Sequence, residues 1–454
     1  MGSLDDIFKA YDIRGVVPDQ LNAELAKKIG TAFAVFAKSP SIVVGRDMRP
    51  SGVELVAAFT EGATAAGVDV VLLGLTSSDE LLYASGALGS PGVMFTASHN
   101  PARYNGIKLC LAGARPVGVE SGLVDIRDAI EVGDLPTVGE AARGTVSQRD
   151  VLADYAAKVR SFVDRDALLP LHVIADTANG MGGLVVPAVF EGLPFDLEIL
   201  FPELDGNFPN HPADPIQPAN LVDLQAKILE TGADVGLAFD GDADRCFLVD
   251  DKAQAVSGST TTAIVAKAML EKYPGSTILY NLICSKAVPE VIRENGGIPV
   301  MTRVGHSYIK ALMADTGAAF GGEHSGHYYF RDNYRADSGS IAALVVLEVI
   351  SKAGMPLSEL RRPFDRYAMS GEINTEVKGS PARVIDAVGV YFAAEHPEGD
   401  QSRLDGLTVD FGDWWFNVRP SNTEPLVRLN AEAADRASCD AHTEMVLSLI
   451  TGRS

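Results

Sequence analysis

The chain has 454 residues, 46% of them hydrophobic, and a formal charge of −22. That length implies about three or four domains rather than one core, and the acidic balance excludes nucleic acid and anionic membrane surfaces as partners. A phosphorylated ligand would have to be held by local cations working against the overall field, which makes clustered Arg and Lys informative.

The N-terminus, MGSLDDIFKA, has early acids and no apolar h-region, so no secretory signal is expected and the cytoplasm is the default location. No apolar run reaches the ~18 residues of a membrane span; the best stretch, Ile341 to Ile350, contains Glu348. Cys110, Cys246, Cys284 and Cys439 lie far apart without a CxxC pair, the pattern of reduced buried thiols rather than of a disulfide frame or zinc site.

Along the chain an order of elements recurs: strand, loop, helix, strand. The first copy runs from SIVVGRD (Ser41 to Asp47) through the helical Val53 to Gly67 to VDVVLLG (Val68 to Gly74), and closes with GVMFTASHN (Gly92 to Asn100). The second runs from LHVIADTANG (Leu171 to Gly180) to FDLEILF (Phe195 to Phe201) and closes with VGLAFDGDADR (Val235 to Arg245). The third runs from TILYNLICSK (Thr277 to Lys286) through PEVIRENGG to IPVMTRVG (Ile298 to Gly305) and closes with AAFGGEHSGH (Ala318 to His327). Strands alternating with amphipathic helices predict right-handed crossovers and a mainly parallel sheet, with ligands beyond the carboxyl ends of the strands. After about Arg362 the pattern changes to alternating strands (EINTEV, LTVDFGDWWFNVRP, LVRLNAEA) and a final helix near His442 to Ile450, a smaller α+β domain.

Each closing segment carries polar groups. Ser98, beside His99 in TASHNP, follows an apolar strand and precedes Pro101, a place for an exposed nucleophile or phosphate carrier; a turn capped by Ser98 or Thr96 is the structural alternative. Asp240, Asp242 and Asp244 put three carboxylates at i, i+2 and i+4 after a strand, hard oxygen donors suited to Mg²⁺. An EF-hand would need glycine where Arg245 stands, and flanking helices. In GEHSGH, Glu323 and Ser325 offer a carboxylate and a hydroxyl to sugar hydroxyls, with a His-x-x-His zinc site (His324, His327) or simple turn histidines as rivals. In RPSNTEP, Arg419, Ser421, Asn422 and Thr423, followed by Arg428, supply guanidinium, hydroxyl and amide donors suited to a dianionic phosphate, or a capped turn before a strand. Arg14 in YDIRG, Lys108 in YNGIK, Lys286 in CSK and His306 in GHS occupy loop-like sites where each, taken singly, reads as a surface charge.

Taken together, YDIRG, TASHNP, FDGDADR, GEHSGH and RPSNTEP, in this order, resemble the α-D-phosphohexomutase superfamily across essentially the whole chain, and within it the bacterial phosphomannomutase/phosphoglucomutase group. The resemblance implies an α/β fold of three related domains with mixed, mainly parallel sheets, at 1–150, 151–252 and 253–362, and a C-terminal α+β domain at 363–454, around a central cleft. It implies Ser98 as phosphoserine, Asp240, Asp242 and Asp244 as Mg²⁺ ligands completed by the phosphoryl group on Ser98, Glu323 and Ser325 on the sugar, and Arg419, Ser421, Asn422, Thr423 and Arg428 on the phosphate that is not transferred. Arg14, Lys108, Arg245, Lys286 and His306 fall where the family surrounds the phosphoserine and sugar, with Lys108 and His306 as candidates for proton transfer.

The implied reaction moves phosphate between C1 and C6 of mannose or glucose by way of a hexose 1,6-bisphosphate, which is also the activator, in a monomer or homodimer. Phosphoglucosamine mutase is the nearest alternative, although glycine is expected there at the position of Asn422. A metal-dependent sugar phosphatase and a non-catalytic sugar-phosphate-binding protein are the alternatives from other classes.

Overall fold

A computed structural model describes residues 4–377, 379–421 and 426–452. Three of its sheets repeat one topology. In the first, Asp69–Leu75, Ser41–Arg46 and Gly92–Phe95 lie side by side and parallel, and Tyr104–Leu111 returns antiparallel against Gly92–Phe95. In the second, the equivalent strands are Asp196–Leu200, His172–Asp176 and Val235–Phe239, with Cys246–Asp250 returning. In the third they are Ile298–Thr302, Thr277–Asn281 and Phe320–Gly322, with Tyr328–Phe330 returning.

The connections follow from the pairing. Parallel neighbours need a crossover, and helices supply it in each unit: Gly52–Ala65 and Ser78–Leu88, then Gly182–Phe190 and Val222–Thr231, then Ala287–Glu294 and His306–Thr316. Antiparallel neighbours need only a short loop, and the polar segments with Ser98, the three aspartates, and Glu323 with Ser325 occupy that same loop in the three units. The local starts are ordinary: Ser77 and Glu80 form a reciprocal capping box, and Ser257 accepts from Thr260 N to begin the buried helix Gly258–Lys272.

The fourth sheet is antiparallel, ordered Ala368–Met369, Leu426–Ala433, Trp414–Pro420, Leu407–Asp410 and Asp400–Ser402, with Ile373–Glu376 also on Leu426–Ala433. Helices Pro381–Glu395 and Arg436–Thr451 cover it over a core that includes Phe392, Phe416 and Val446.

The cores are not equally separate. One continuous apolar cluster runs through the second and third units from Tyr155 to Leu360 and takes in Met48 of the first, whereas the first unit and the fourth sheet each also have a core of their own. All four cysteines are buried and free. No helix among the described residues is long and apolar enough to cross a membrane.

Candidate functional site

The strand Gly92–Phe95 is buried at every position and delivers the chain to Ser98, whose backbone takes the left-handed conformation at φ 47°. A non-glycine residue there is strained by about 1–2 kcal/mol, so the surroundings must over-determine it. Arg49, fully buried, does so: its guanidinium donates to the carbonyls of Ser98 (2.8 Å), Asn100 (2.6 Å), Pro101 (2.9 Å) and Tyr104 (3.0 Å). Its Nε is held by Asp47 at 3.1 Å, also fully buried. Thr96 Oγ1 accepts from Ser98 N, and Arg14 donates to Asn100 Oδ1 at 2.6 Å, so Arg49, Asp47, Thr96 and Arg14 together hold one short loop.

The aspartate loop meets this loop head on. Ser98 Oγ donates to Asp240 Oδ2 at 2.7 Å, and Arg245 Nε reaches the same oxygen at 3.0 Å. Lys108 Nζ, on the return strand of the first unit, lies 2.7 Å from both Asp242 Oδ2 and Asp244 Oδ2. Ser78 donates to Asp242 Oδ2 at 2.5 Å. The backbones touch as well: a Cβ on Gly241 would stand 2.4 Å from the Ser98 carbonyl oxygen, which only glycine avoids.

Electrostatics follow from burial and neighbours. Burial drives the Asp240 carboxyl well above its ordinary range, with Arg245 opposing and Asp242 adding to it. Burial acts on Asp242 in the same direction, but Lys108 outweighs it and holds Asp242 well below the usual carboxylate range. The same pair keeps Lys108 above its ordinary value despite burial, so it is charged at neutral pH. His99 Nδ1, 3.2 Å from Ser98 Oγ, accepts from Arg245 Nη2 at 2.7 Å; burial and then Arg245 hold it well below its ordinary pKa.

The three aspartates suit a cation. One ligand atom from each lies within 4.8 Å of the others, and Asp242 Oδ1 and Asp244 Oδ1 are buried without a hydrogen-bond partner. Such orphans signal a missing electropositive partner. Three carboxylates also outnumber the lysine and arginine side chains that pair with them among the described residues, Lys108 and Arg245.

The third loop faces the same cleft. His327 Nε2 lies 3.7 Å from Asp244 Oδ1, and Lys108, Asp244, His306, Lys310, His327 and Asp337 line one cavity. Burial, then Lys310, holds His306 well below its ordinary value, leaving a neutral imidazole. Ser325 Oγ pairs with His327 Nδ1 at 3.0 Å. Glu323 is 2% exposed, and its oxygens already accept from Tyr329 OH (2.7 Å), Gly305 N (3.0 Å) and Asn281 Nδ2 (3.2 Å). A larger cavity of about 810 Å³ lies at the back of the first sheet between Val44, Val56 and Leu184. It contains none of these groups, which line the smaller one.

In the fourth sheet Arg419 and Arg428 are direct cross-strand partners, and both bind Glu372, at 2.6 and 3.1 Å. Ser421 Oγ accepts from Arg428 Nη2 at 3.4 Å, while Asn422 and Thr423 lie outside the described residues. Lys286 does not join the Ser98 group: its Nζ bridges to Asp410 Oδ1 (2.5 Å) and the Gly412 carbonyl (2.7 Å).

Sequence reasoning brought Ser98, Arg14, Lys108, Arg245 and the three aspartates to one place, and missed Asp47, Arg49, Ser78 and Asp79. Asp79 is fully buried and accepts from Ser77, Tyr155 and Ser338, tying all three repeated units together next to the site. The only signal for Arg49 was a cation just past a strand end.

Comparisons with known proteins bear on the whole chain. Four profiles match in order: phosphoglucomutase/phosphomannomutase alpha/beta/alpha domain I at residues 5–133, domain II at 153–254, domain III at 257–367, and the C-terminal domain at 372–448. A phosphomannomutase of Salmonella montevideo is 40% identical over 453 residues, covering 98% of each chain. A Xanthomonas campestris protein named "phosphohexose mutases" is 39% identical over 448 residues, covering 98% of this chain and 99% of that one. A crystal structure of a phosphoglucomutase/phosphomannomutase family protein from Burkholderia thailandensis superposes with a TM-score of 0.89 at 33% identity, covering 98% of both chains.

Proposed function

The chain belongs to the phosphoglucomutase/phosphomannomutase family and is a phosphohexose mutase, and from that premise we propose that it interconverts the 1- and 6-phosphates of mannose, and of glucose, with Ser98 as the phosphoryl carrier. The observation that carries this reading is the contact between Ser98 Oγ and Asp240 inside a junction where three carboxylates converge.

In the proposed cycle a sugar hydroxyl attacks the phosphoryl group on Ser98. The new O–P bond forms as the Ser98 Oγ–P bond breaks, the hydroxyl proton passes to a base, and Ser98 Oγ is later rephosphorylated from the other end of the hexose 1,6-bisphosphate. Lys108 stays charged against Asp242 and Asp244, so it serves as a fixed positive charge beside the moving phosphoryl rather than as the base. His306 is neutral in the same cavity and is the group able to take the proton. Arg245 and Arg14 hold the carrier loop through Asp240 and Asn100.

The family is metal-dependent in general, and Asp240, Asp242 and Asp244 would hold the ion, which we assign as Mg²⁺. Bound there, Mg²⁺ would offset charge on the phosphoryl group in flight. Glu323 and Ser325 are assigned to the sugar ring, and Arg419, Ser421, Asn422, Thr423 and Arg428 to the distal phosphate, so that binding away from the reaction orients the hydroxyl. A phosphatase would need water, in place of the sugar hydroxyl, at the serine ester.

The test is ³¹P NMR of the protein with Mg²⁺, a trace of glucose 1,6-bisphosphate, and mannose 1-phosphate or glucose 1-phosphate in parallel. A 6-phosphate signal without inorganic phosphate is expected, and Ser98→Ala should abolish it. Inorganic phosphate alone would mean hydrolysis; no change in either tube would remove the hexose assignment and direct the assay to glucosamine phosphate.

A further inference from the structure

The distal phosphate site as described is already occupied by a charge of this chain's own. Arg419 and Arg428 stand opposite one another on neighbouring strands, a juxtaposition of like charges that is unfavourable unless an anion joins them. Glu372 is that anion: Oε2 accepts from Arg419 Nη2 at 2.6 Å, and Oε1 from Arg428 Nη1 at 3.1 Å, one oxygen for each guanidinium. Even so the arginines are not satisfied. Nε of both is buried without a hydrogen-bond partner among the described residues, and Arg419 as a whole is 5% exposed. Unmet donors on a buried guanidinium mark a place built for a further acceptor.

The backbone around Glu372 is suited to such a role. The edge strand is interrupted here: Ala368–Met369 pairs with residues 432–433 and Ile373–Glu376 with residues 426–429, and although Ser370 N still donates to the Ala431 carbonyl, Gly371 and Glu372 lie outside the ladder. Gly371 takes φ +70°, a conformation that lets the chain turn Glu372 toward the arginines, and a Cβ there would meet nothing within 4 Å.

We propose that Glu372 is the resident counter-ion of the phosphate site and limits its affinity, so that a dianionic phosphate binds against the carboxylate's repulsion and leaves readily. This rests on the reading above that Arg419 and Arg428 take the distal phosphate. The incoming group meets the free Nε edges while the carboxylate stays within hydrogen-bond reach of the same two guanidinium groups, or it displaces the carboxylate outright. In either case the negative charge of Glu372 opposes binding. The same charge favours dianions: a weaker monoanion gains too little from the open donors to offset it. A mutase that must let go of one phosphate and take up the other has use for a site that is strong in geometry and moderate in affinity.

The experiment measures inorganic phosphate binding by titration calorimetry, and turnover of mannose 1-phosphate, in the whole protein and four variants. Glu372→Gln should bind phosphate about tenfold more tightly, with KM and kcat both lower because release slows. Glu372→Asp, which keeps the charge, should stay near wild type. A merely structural role for Glu372 predicts the opposite, a higher KM and weaker phosphate binding. Unchanged or weaker binding in folded Glu372→Gln overturns the proposal. If the amide variant is unstable, Glu372→Ser removes the same charge and is read the same way. Arg419→Ala separates the two levels: loss of phosphate binding there with no tightening in Glu372→Gln defeats the counter-ion alone, whereas unchanged binding in Arg419→Ala defeats the assignment of the phosphate site and the proposal with it.

Discussion

The junction between the first two repeated units and the junction between the third unit and the fourth sheet are built on opposite principles. At the first, Ser98, Asp240, Arg49 and Asp79 are all at most 6% exposed, and a glycine contact lets two backbones touch. At the second, the described contacts are polar and two of the three lie nearer to water: Lys286 with Asp410, whose side chains are 24% and 45% exposed, and Val304 N with Asp405, while Lys286 N meets the buried Glu432. The second and third units share one apolar core and the fourth sheet does not. A phosphoryl carrier benefits from sub-ångström placement, which buried, fully bonded groups provide. A part that must admit and release sugar phosphates benefits from contacts that open at small cost, which exposed ion pairs provide.

Breaking the buried junction should give the largest effects. Arg49→Met would leave Asp47 buried without its partner and four carbonyls without their donor; removing one side of a buried pair costs about 3–5 kcal/mol, to be read from urea denaturation. A loss below ~1 kcal/mol, the level of an exposed pair, would mean that the loop is not held as described. Gly241→Ala places a carbon 2.4 Å from the Ser98 carbonyl with no flexible side chain to give way. Turnover should fall at least ~100-fold, since a displacement near 1 Å suffices for that, and near wild-type kcat in this variant would refute the close approach.

The buried junction should also respond to pH where the exposed one does not. Burial, against hydrogen bonds from Ser77, Tyr155 and Ser338, pushes Asp79 up to about 7. Its folded-state value is raised above the unfolded one, so the stability it contributes is fully present below about pH 4 and is lost as pH rises through about 7. Asp79→Asn should therefore lose less stability than wild type between pH 5 and 8, by about 2–3 kcal/mol. Glu80, likewise pushed to about 7, would keep its own share. Equal pH slopes in the two proteins would show that Asp79 is not the titrating group.

The smallest effect sharpens the comparison from the other side. Lys286→Ala should shift stability by less than ~1 kcal/mol, as for other half-exposed pairs, and alter KM by a few-fold with kcat largely kept. A hundredfold loss of kcat would place Lys286 among the groups at the reacting phosphoryl rather than among those that only bind the substrate.

Much of this was legible in the chain itself. The order strand, helix, strand marked three α/β units, because apolar runs of five to seven residues between amphipathic helices fold in few other ways, and the motifs after the closing strands identified the family that the profile matches bear out. The three aspartates were visible because i, i+2, i+4 spacing is local. Arg49 and Asp79 were not, since each acts on groups distant in sequence, as in the bond from Ser338 to Asp79 across 259 positions, and Asp47 matters only through Arg49. The neighbours of Lys286 were hidden for the same reason: its motif position said which loop it ends, not that its Nζ meets Asp410. What the sequence by itself determined, then, was chemistry that resides in short segments: which donors and carboxylates exist and on which turns. Which of them meet, which are buried enough to change their charge, and that Glu372 stands between the two arginines were decided only by tertiary packing, because Coulomb and hydrogen-bond energies depend on distances of a few ångströms that no linear spacing specifies.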